Sequence, residues 1–421
     1  MSELRSQILQ WIAADEPRLV AFLSEFVRAR SPNPPGDTRE ATRVITRLLE
    51  SEGLAHEIVA PQETMPNVVA EFAGARPGRH VVFNGHIDVF PVNNEAAWDR
   101  APWSGETEDG RIHGRGVADM KAGTTASIFA YIYLSRLRER LPGRVTLTAV
   151  SDEETGGTWG ARYLLETMPD RVLGDCVING EPGGVGTIRF GEKGILQFTV
   201  QVRTRGAHGP YPNLSKSAIR IAGDIMRDLD VLGEMKPSLP KTVADRLAAP
   251  ETRAIIETTM GAGTADLMTM LTVNIGTIGG GTKINMIAAD CDFEVDIRMP
   301  IGIEREAVLT AVRRILDRYP EASMVDIVGG PSNYCDPDHE MVGIMRRNVT
   351  GLGRPDPALI PSLGGSDGRF WRERGVPAYI YGPTPSGISA PNESIAIADF
   401  LDVVRVHALS ALDYLTAEKT A

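Results

Sequence analysis

Residues 81–88 read Val-Val-Phe-Asn-Gly-His-Ile-Asp. The three apolar residues make a buried strand and Asn84-Gly85 ends it. His86 and Asp88 then point to the same side of an extended chain. The pattern returns twice. Residues 145–150 (Val-Thr-Leu-Thr-Ala-Val) run into Ser151-Asp152-Glu153-Glu154, and residues 175–178 (Asp-Cys-Val-Ile) run into Asn179-Gly180-Glu181. Between the first two, Gly114-Arg115-Gly116-Val117-Ala118-Asp119 leads into a helical segment of small residues. In an open α/β sheet, ligand sites form just beyond the carboxyl ends of the strands. His86, Asp119, Glu153, Glu154 and Glu181 are therefore candidates to converge there. That many carboxylates do not share a dry cleft as bare anions, and a bound divalent cation neutralises them most simply. One acid after one strand would be a helix cap or a solvated loop. Three such strand ends together favour a metal centre.

A chain of 421 residues exceeds one ordinary core. Strands alternate with helices up to about residue 190, the sign of a doubly wound, mostly parallel sheet. A helix is expected over 3–31 and another over 119–140, with a long polar loop at 91–113. The texture changes after Gly191: strands near 195–203, 271–278, 290–298 and 323–328, with helices near 215–232 and 304–318, spell β-α-β-β-α-β. That is a small ferredoxin-like (α+β) insert. The expected division is a discontinuous catalytic domain, 1–191 and 333–421, and an inserted domain, 192–332. Net charge of −11 argues against nucleic acid or an anionic membrane as partner. No apolar run reaches membrane-spanning length and no signal core opens the chain. Cys176, Cys291 and Cys335 are too few and too scattered for a disulfide framework or a thiolate site, as in a cytoplasmic protein.

Taken together, several motifs resemble one family. They are Gly85-His86-Ile87-Asp88, Gly114-Arg115-Gly116-Val117-Ala118-Asp119-Met120-Lys121, Asp152-Glu153-Glu154-Thr155-Gly156-Gly157, Asn179-Gly180-Glu181-Pro182, Gly206-Ala207-His208, Gly364-Gly365-Ser366-Asp367 and Ala390-Pro391-Asn392-Glu393. The chain resembles the dinuclear metallopeptidases that include aminoacylase, carboxypeptidase G, acetylornithine deacetylase and succinyl-diaminopimelate desuccinylase. The resemblance implies that Asp119 bridges two metal sites, that His86 and Glu181 complete one, and that Glu154 and a late histidine complete the other. It implies that Asp88 orients His86, and that Glu153 is the general base that moves a proton from a metal-activated water to the leaving nitrogen. It also implies an oxyanion role for His208 in a partner subunit's site, a hold on the substrate carboxylate by Arg298 with Asn285 beside it, and homodimerisation through the insert.

The chain departs from that pattern at one place. Where the family reads His-Ala-Pro-Asn-Glu, this sequence reads Ser389-Ala390-Pro391-Asn392-Glu393, and no other histidine stands in the loop. A serine hydroxyl is a poor divalent-metal ligand beside imidazole. The expectation is one firmly bound metal per chain, manganese or zinc, with Ser389 a candidate ligand of a weak second site. The expected activity is hydrolysis of a carbon–nitrogen bond in a small carboxylate-bearing substrate. The bond is an amide, as in N-acyl amino acids, or an aryl amine, as in enzymes resembling 5-nitroanthranilate aminohydrolase. Two rivals have their own signatures. A catalytically dead carboxylate binder would not need Asp88 and Glu153. A serine hydrolase would use the Gly-x-Ser-x-Gly sequence at Ser366 with Asp399 or Asp402 and His407.

Overall fold

The computed structural model describes residues 2–417. The chain divides into two units, Met1–Phe190 with Cys335–Ile360 and Ser366–Ala421, and Gly191–Tyr334 with Pro361–Gly365. The expected boundaries lie within two residues of these at each crossing, apart from the 361–365 segment.

In the first unit the strands run in the order His56–Val59, Asn67–Ala73, Pro142–Val150, Arg76–His86, Cys176–Asn179, Ala378–Ile380 and Thr187–Glu192. The four central strands are parallel to one another, and the flanking pairings are antiparallel. Val81, Val82 and Phe83 are buried without alternation, as expected of parallel strands covered on both faces. On one face, Leu164, Phe370 and Trp371 pack against Val69, Val82 and Val150. On another side, the wholly buried helix Ala122–Ser135 packs against the closing helix Ile397–Thr416. Gly123 lets the first of these start tight against a strand end, because a Cβ there would lie 1.9 Å from the Gly180 carbonyl oxygen. Register sets the site. His86 is level with Val150, and Asn84 is level with Asn179. The three chains therefore leave the sheet at one edge.

The second unit has a four-stranded antiparallel sheet in the order Thr272–Gly280, Asp290–Met299, Gly194–Arg203, Ala322–Val328. Gly194–Arg203 alternates buried and half-buried residues. Its buried face (Leu196, Phe198, Val200, Val202) meets Ile221 and Ile225 of helix Ala218–Leu229 and Val308 and Val312 of helix Arg305–Leu316. This is the ferredoxin-like insert, with three further helices, Lys241–Ala248, Pro250–Met260 and Thr264–Leu267, added before the second strand.

The expected loop over 91–113 ends in two short strands, Thr107–Glu108 and Arg111–His113, and two expected helices differ. The helix over 3–31 is two helices, Ser2–Ala14 and Glu16–Arg28, and Pro17 opens the second. The helix expected from 119 begins at Ala122, because Asp119 is non-helical (φ −116°, ψ 95°).

Candidate metal centre

One potential ligand atom from each of His86, Asp119 and Glu181 lies within 4.8 Å of the others. His86 Nε2 is 3.2 Å from Asp119 Oδ1 and 3.4 Å from Glu181 Oε1. His86 is fully buried at the end of its strand, and the two carboxylates are largely so. The strand ends are tied together beneath the site. Asn84 Nδ2 donates to Thr148 Oγ1 (3.2 Å), Asn179 Nδ2 donates to Asn84 Oδ1 (2.9 Å), and Asn179 Oδ1 accepts the Glu181 N–H (2.8 Å).

The imidazole is oriented from behind. His86 Nδ1 lies 2.8 Å from the Asp88 main-chain oxygen and 3.5 Å from Asp88 Oδ1. A carbonyl oxygen only accepts, so Nδ1 carries the proton and Nε2 faces the carboxylates. Burial disfavours the charged ring, but Glu181, Asp119 and Asp88 outweigh it and raise its pKa well above the ordinary value.

Asp88 is itself fully buried and organises the Glu153 turn. Oδ1 accepts the Glu153 N–H (3.3 Å), and Oδ2 accepts the Glu154 N–H (3.1 Å) and Asn33 Nδ2 (2.9 Å). Asp152, at φ 79°, turns the chain there and caps the Trp159 N–H. Glu153 Oε1 is 3.3 Å from Arg369 Nη1. Burial, against the opposing pull of His86 and with the help of Asp119, pushes the Glu153 carboxyl up, the Glu154 carboxyl up to about 11 and the Glu181 carboxyl up to about 8.

These residues fit a divalent cation. Glu154 Oε1 is buried with no hydrogen-bond partner among the described residues, and Glu181 Oε1, also buried, has only the 3.4 Å approach of His86 Nε2. Oxygen acceptors in that condition are costly unless something positive completes them. An imidazole nitrogen with carboxylate oxygens is a donor set that zinc or manganese accepts.

Asp119 is held by residues that motif reading left without a role. Glu393 Oε1 accepts the Ala118 (2.9 Å) and Asp119 (3.2 Å) N–H groups, and Oε2 accepts the Gly116 N–H (3.1 Å) and Arg115 Nη1 (2.7 Å). Lys121, fully buried, donates to the Phe26 and Ala29 carbonyls at the end of helix Glu16–Arg28, and burial lowers its pKa to about 7. Asn33, Arg369, Arg115 and Glu393 carry no local periodicity that would single them out. Their partners are 55 or more residues away in sequence.

The remaining candidates fall as follows. Ser389 is exposed at φ 60°, and its main-chain oxygen accepts Arg115 Nη2 (3.1 Å). In the second unit, His208 is exposed and paired in register with Met286, and Asn285 is exposed with its carbonyl accepting the Gly209 N–H. Arg298 is already engaged by Asp296, with Nε and Nη2 each 3.0 Å from a carboxylate oxygen. The serine-hydrolase constellation is not assembled. His407 spends its nitrogens on the Tyr381 carbonyl (2.7 Å) and Ser127 Oγ (3.2 Å), and Asp399 and Asp402 both pair with Arg354. Asp367 makes no cap. Both its carboxylate oxygens are buried without a partner among the described residues, and burial with the Glu153 charge raises its pKa well up.

Comparison with known proteins adds to this geometry. The family model described as Peptidase family M20/M25/M40 matches residues 82–413. A succinyl-diaminopimelate desuccinylase of Nitrosomonas eutropha is 29% identical over 345 residues, covering 79% of this chain and 82% of that protein. One of Cereibacter sphaeroides is 28% identical over 415 residues, covering 94% and 99%. Among solved structures, the di-peptidase Dug1p of Saccharomyces cerevisiae superposes with a TM-score of 0.82 at 15% identity and full coverage of both chains. The M20 family metallo-carboxypeptidase Sso-CP2 of Sulfolobus solfataricus gives 0.77 at 19% identity, covering 95% and 99%. At those identities the two structures speak for the fold alone.

Proposed function

The chain belongs to peptidase family M20/M25/M40, and from that premise we propose that it hydrolyses the amide bond of a small carboxylate-bearing substrate with one firmly held cation. The coarser activity, metal-dependent hydrolysis of a carbon–nitrogen bond, follows from membership and from the desuccinylase relatives. The observation that carries the finer reading is the convergence of His86 and Glu181, at adjacent strand ends, with Asp119 of the Val117–Lys121 turn, where the buried Glu154 Oε1 has no hydrogen-bond partner among the described residues.

His86, Asp119 and Glu181 would hold the cation, manganese or zinc. When bound, it acts as a Lewis acid that acidifies water and stabilises developing negative charge. Glu153 is the proposed base. Burial raises its carboxyl pKa above the ordinary carboxylate value, which makes it the stronger proton acceptor, and the same group would release that proton to a leaving nitrogen. Arg369 steadies the same carboxylate from the side. His208 remains the proposed oxyanion donor, and Arg298 with Asn285 the proposed carboxylate-binding residues. Homodimerisation through the second unit belongs to the same proposal. Exposed Ile278 (59%) and Ile284 (102%) supply apolar surface for it.

Ser389 favours a second reading, replacement of an aryl amine by hydroxide on an electron-poor ring such as a nitroanthranilate. Glu154 stands outside the three-residue cluster, and no imidazole stands at 389 to join it. The deciding experiment is elemental analysis of protein purified without added metal, followed by a panel of N-acyl amino acids, N-succinyl diamino acids and nitroanthranilates. One metal per chain and turnover of an N-acyl substrate support the first reading. Two metals per chain refute the single-site part, and turnover of nitroanthranilates alone selects the second reading. A panel with no turnover at all leaves a carboxylate-binding protein as the better account.

A further inference from the structure

We infer that Glu393 is a positioning residue for Asp119, so that the loop carrying Ser389 acts on the proposed metal centre through a buried carboxylate four residues beyond Ser389. This rests on the metal-hydrolase proposal above. Asp119 is the one ligand of the three that does not leave a strand end. It sits in an irregular turn over Val117–Lys121, with backbone angles that no helix would supply. That turn needs acceptors for N–H groups pointing away from any ladder. Glu393 provides them. One carboxylate takes three successive-region N–H groups, from Gly116, Ala118 and Asp119 itself.

The carboxylate is 1% exposed, and its counter-charge is built in. Arg115 Nη1 lies 2.7 Å from Oε2, its Nη2 holds the Ser389 carbonyl at 3.1 Å, and its guanidinium lies over the Trp98 ring at 5.1 Å. Arg115 thus clamps Glu393 and the backbone of residue 389 at once. The hydroxyl of Ser389 is not needed for this arrangement. Main-chain atoms and Glu393 make all of these contacts. A buried ion pair whose lone pairs are all used is rigid, and removing one partner leaves the other uncompensated. Groups that orient a metal ligand typically change metal affinity by 10–100-fold when altered.

The test is calorimetric titration of the metal-free protein with Mn²⁺ and with Zn²⁺, comparing the unmodified chain with Glu393→Gln. The amide side chain keeps the shape but turns an NH₂ group toward Arg115 or the backbone donors. Folded Glu393→Gln, checked by far-UV circular dichroism, should bind the metal 10–100-fold more weakly. Equal affinity in the folded variant overturns the inference and leaves the hydrolase reading standing. An unmodified protein that binds neither ion overturns both. If Glu393→Gln does not fold, amide hydrogen exchange on the unmodified metal-free protein decides. Protection of the Ala118 and Asp119 amides comparable to the core strands supports the anchor, and exchange at the rate of exposed amides refutes it.

Discussion

Asp88→Asn separates two roles that a carboxylate beside a metal-binding histidine is usually given together. The carboxylate is fully buried and spends its oxygens unequally. Oδ2 accepts from Asn33 Nδ2 at 2.9 Å and Glu154 N at 3.1 Å, and Oδ1 accepts from Glu153 N at 3.3 Å. An asparagine keeps one acceptor, and the Oδ2 position, with two donors, claims it. The new NH₂ group then faces the Glu153 N–H and His86 Nδ1, which lies 3.5 Å from the present Oδ1. One hydrogen bond to a charged acceptor is lost and two donors are brought face to face, a cost of about 2–3 kcal/mol. His86 is affected less, because its Nδ1–H is held by the Asp88 main-chain oxygen at 2.8 Å, which the substitution leaves in place.

The loss should therefore appear at Glu153 rather than at the metal. In metal titrations the affinity of Asp88→Asn should stay within about ten-fold of the unmodified protein, equivalent to about 1.4 kcal/mol. In steady-state assays on a substrate from the panel, kcat of the metal-saturated variant should fall about 10²-fold, the scale of a base displaced by an ångström. Urea melts should register the stability loss. A hundred-fold loss of metal affinity with kcat of the loaded protein unchanged would refute this reasoning. It would mean that the carboxylate, not the carbonyl, orients the imidazole.

Glu153→Gln should keep metal affinity, and turnover should drop about 10²–10⁴-fold; retention of more than a tenth of kcat would remove Glu153 as the base. Saturating Mn²⁺ or Zn²⁺ at about 100 times its dissociation constant should stabilise the fold by about 2.7 kcal/mol, and a chelator should reverse it; an unmoved melting curve would exclude a folded-state metal site. His407 offers a pH signature. Burial lowers its pKa from 6.5 to about 4, against the raising effect of the Tyr381 carbonyl. As pH falls below 6.5 the unfolded chain takes up a proton that the folded chain refuses until about pH 4. Stability is therefore lost across that window, by up to about 3 kcal/mol. The difference in unfolding free energy between the unmodified protein and His407→Asn should shrink as pH falls through it, and a pH-independent difference would refute the assignment.

The clustering of His86, Asp119 and Glu181 was legible because each follows an apolar run or a glycine-rich turn, and strand ends are where α/β sheets place their sites. The ferredoxin-like insert was legible from the switch to alternating burial after Gly191. The anchors of the centre were not. Asn33 lies in a proline-rich break that punctuates the chain without revealing what it touches. Arg115 and Glu393 are 278 residues apart, and no local pattern marks one as the other's partner. The late start of the helix at Ala122 has the same origin, since propensity favours helix from Asp119 while Glu393 takes the N–H groups of that turn. Arg298, expected to hold a substrate carboxylate, is bonded by Asp296, two positions earlier on the same face of the strand, so a substrate carboxylate would share that guanidinium.

The way these anchors are distributed bears on what a serine at 389 does. His86 is fixed by the main chain of Asp88, and Glu181 by Asn179 through a ladder that reaches Asn84 and Thr148 on the neighbouring strands. Asp119 is fixed by Glu393, and Glu393 by Arg115. None of these bonds uses the side chain at 389; the one contact there is with its carbonyl oxygen, which any residue provides. A serine at 389 therefore leaves the scaffold of the three-residue cluster intact. The hold on Asp119 and the side chain at 389 are separable in this fold, because the Glu393 carboxylate and the carbonyl oxygen of residue 389, not its side chain, meet the Asp119 turn and Arg115.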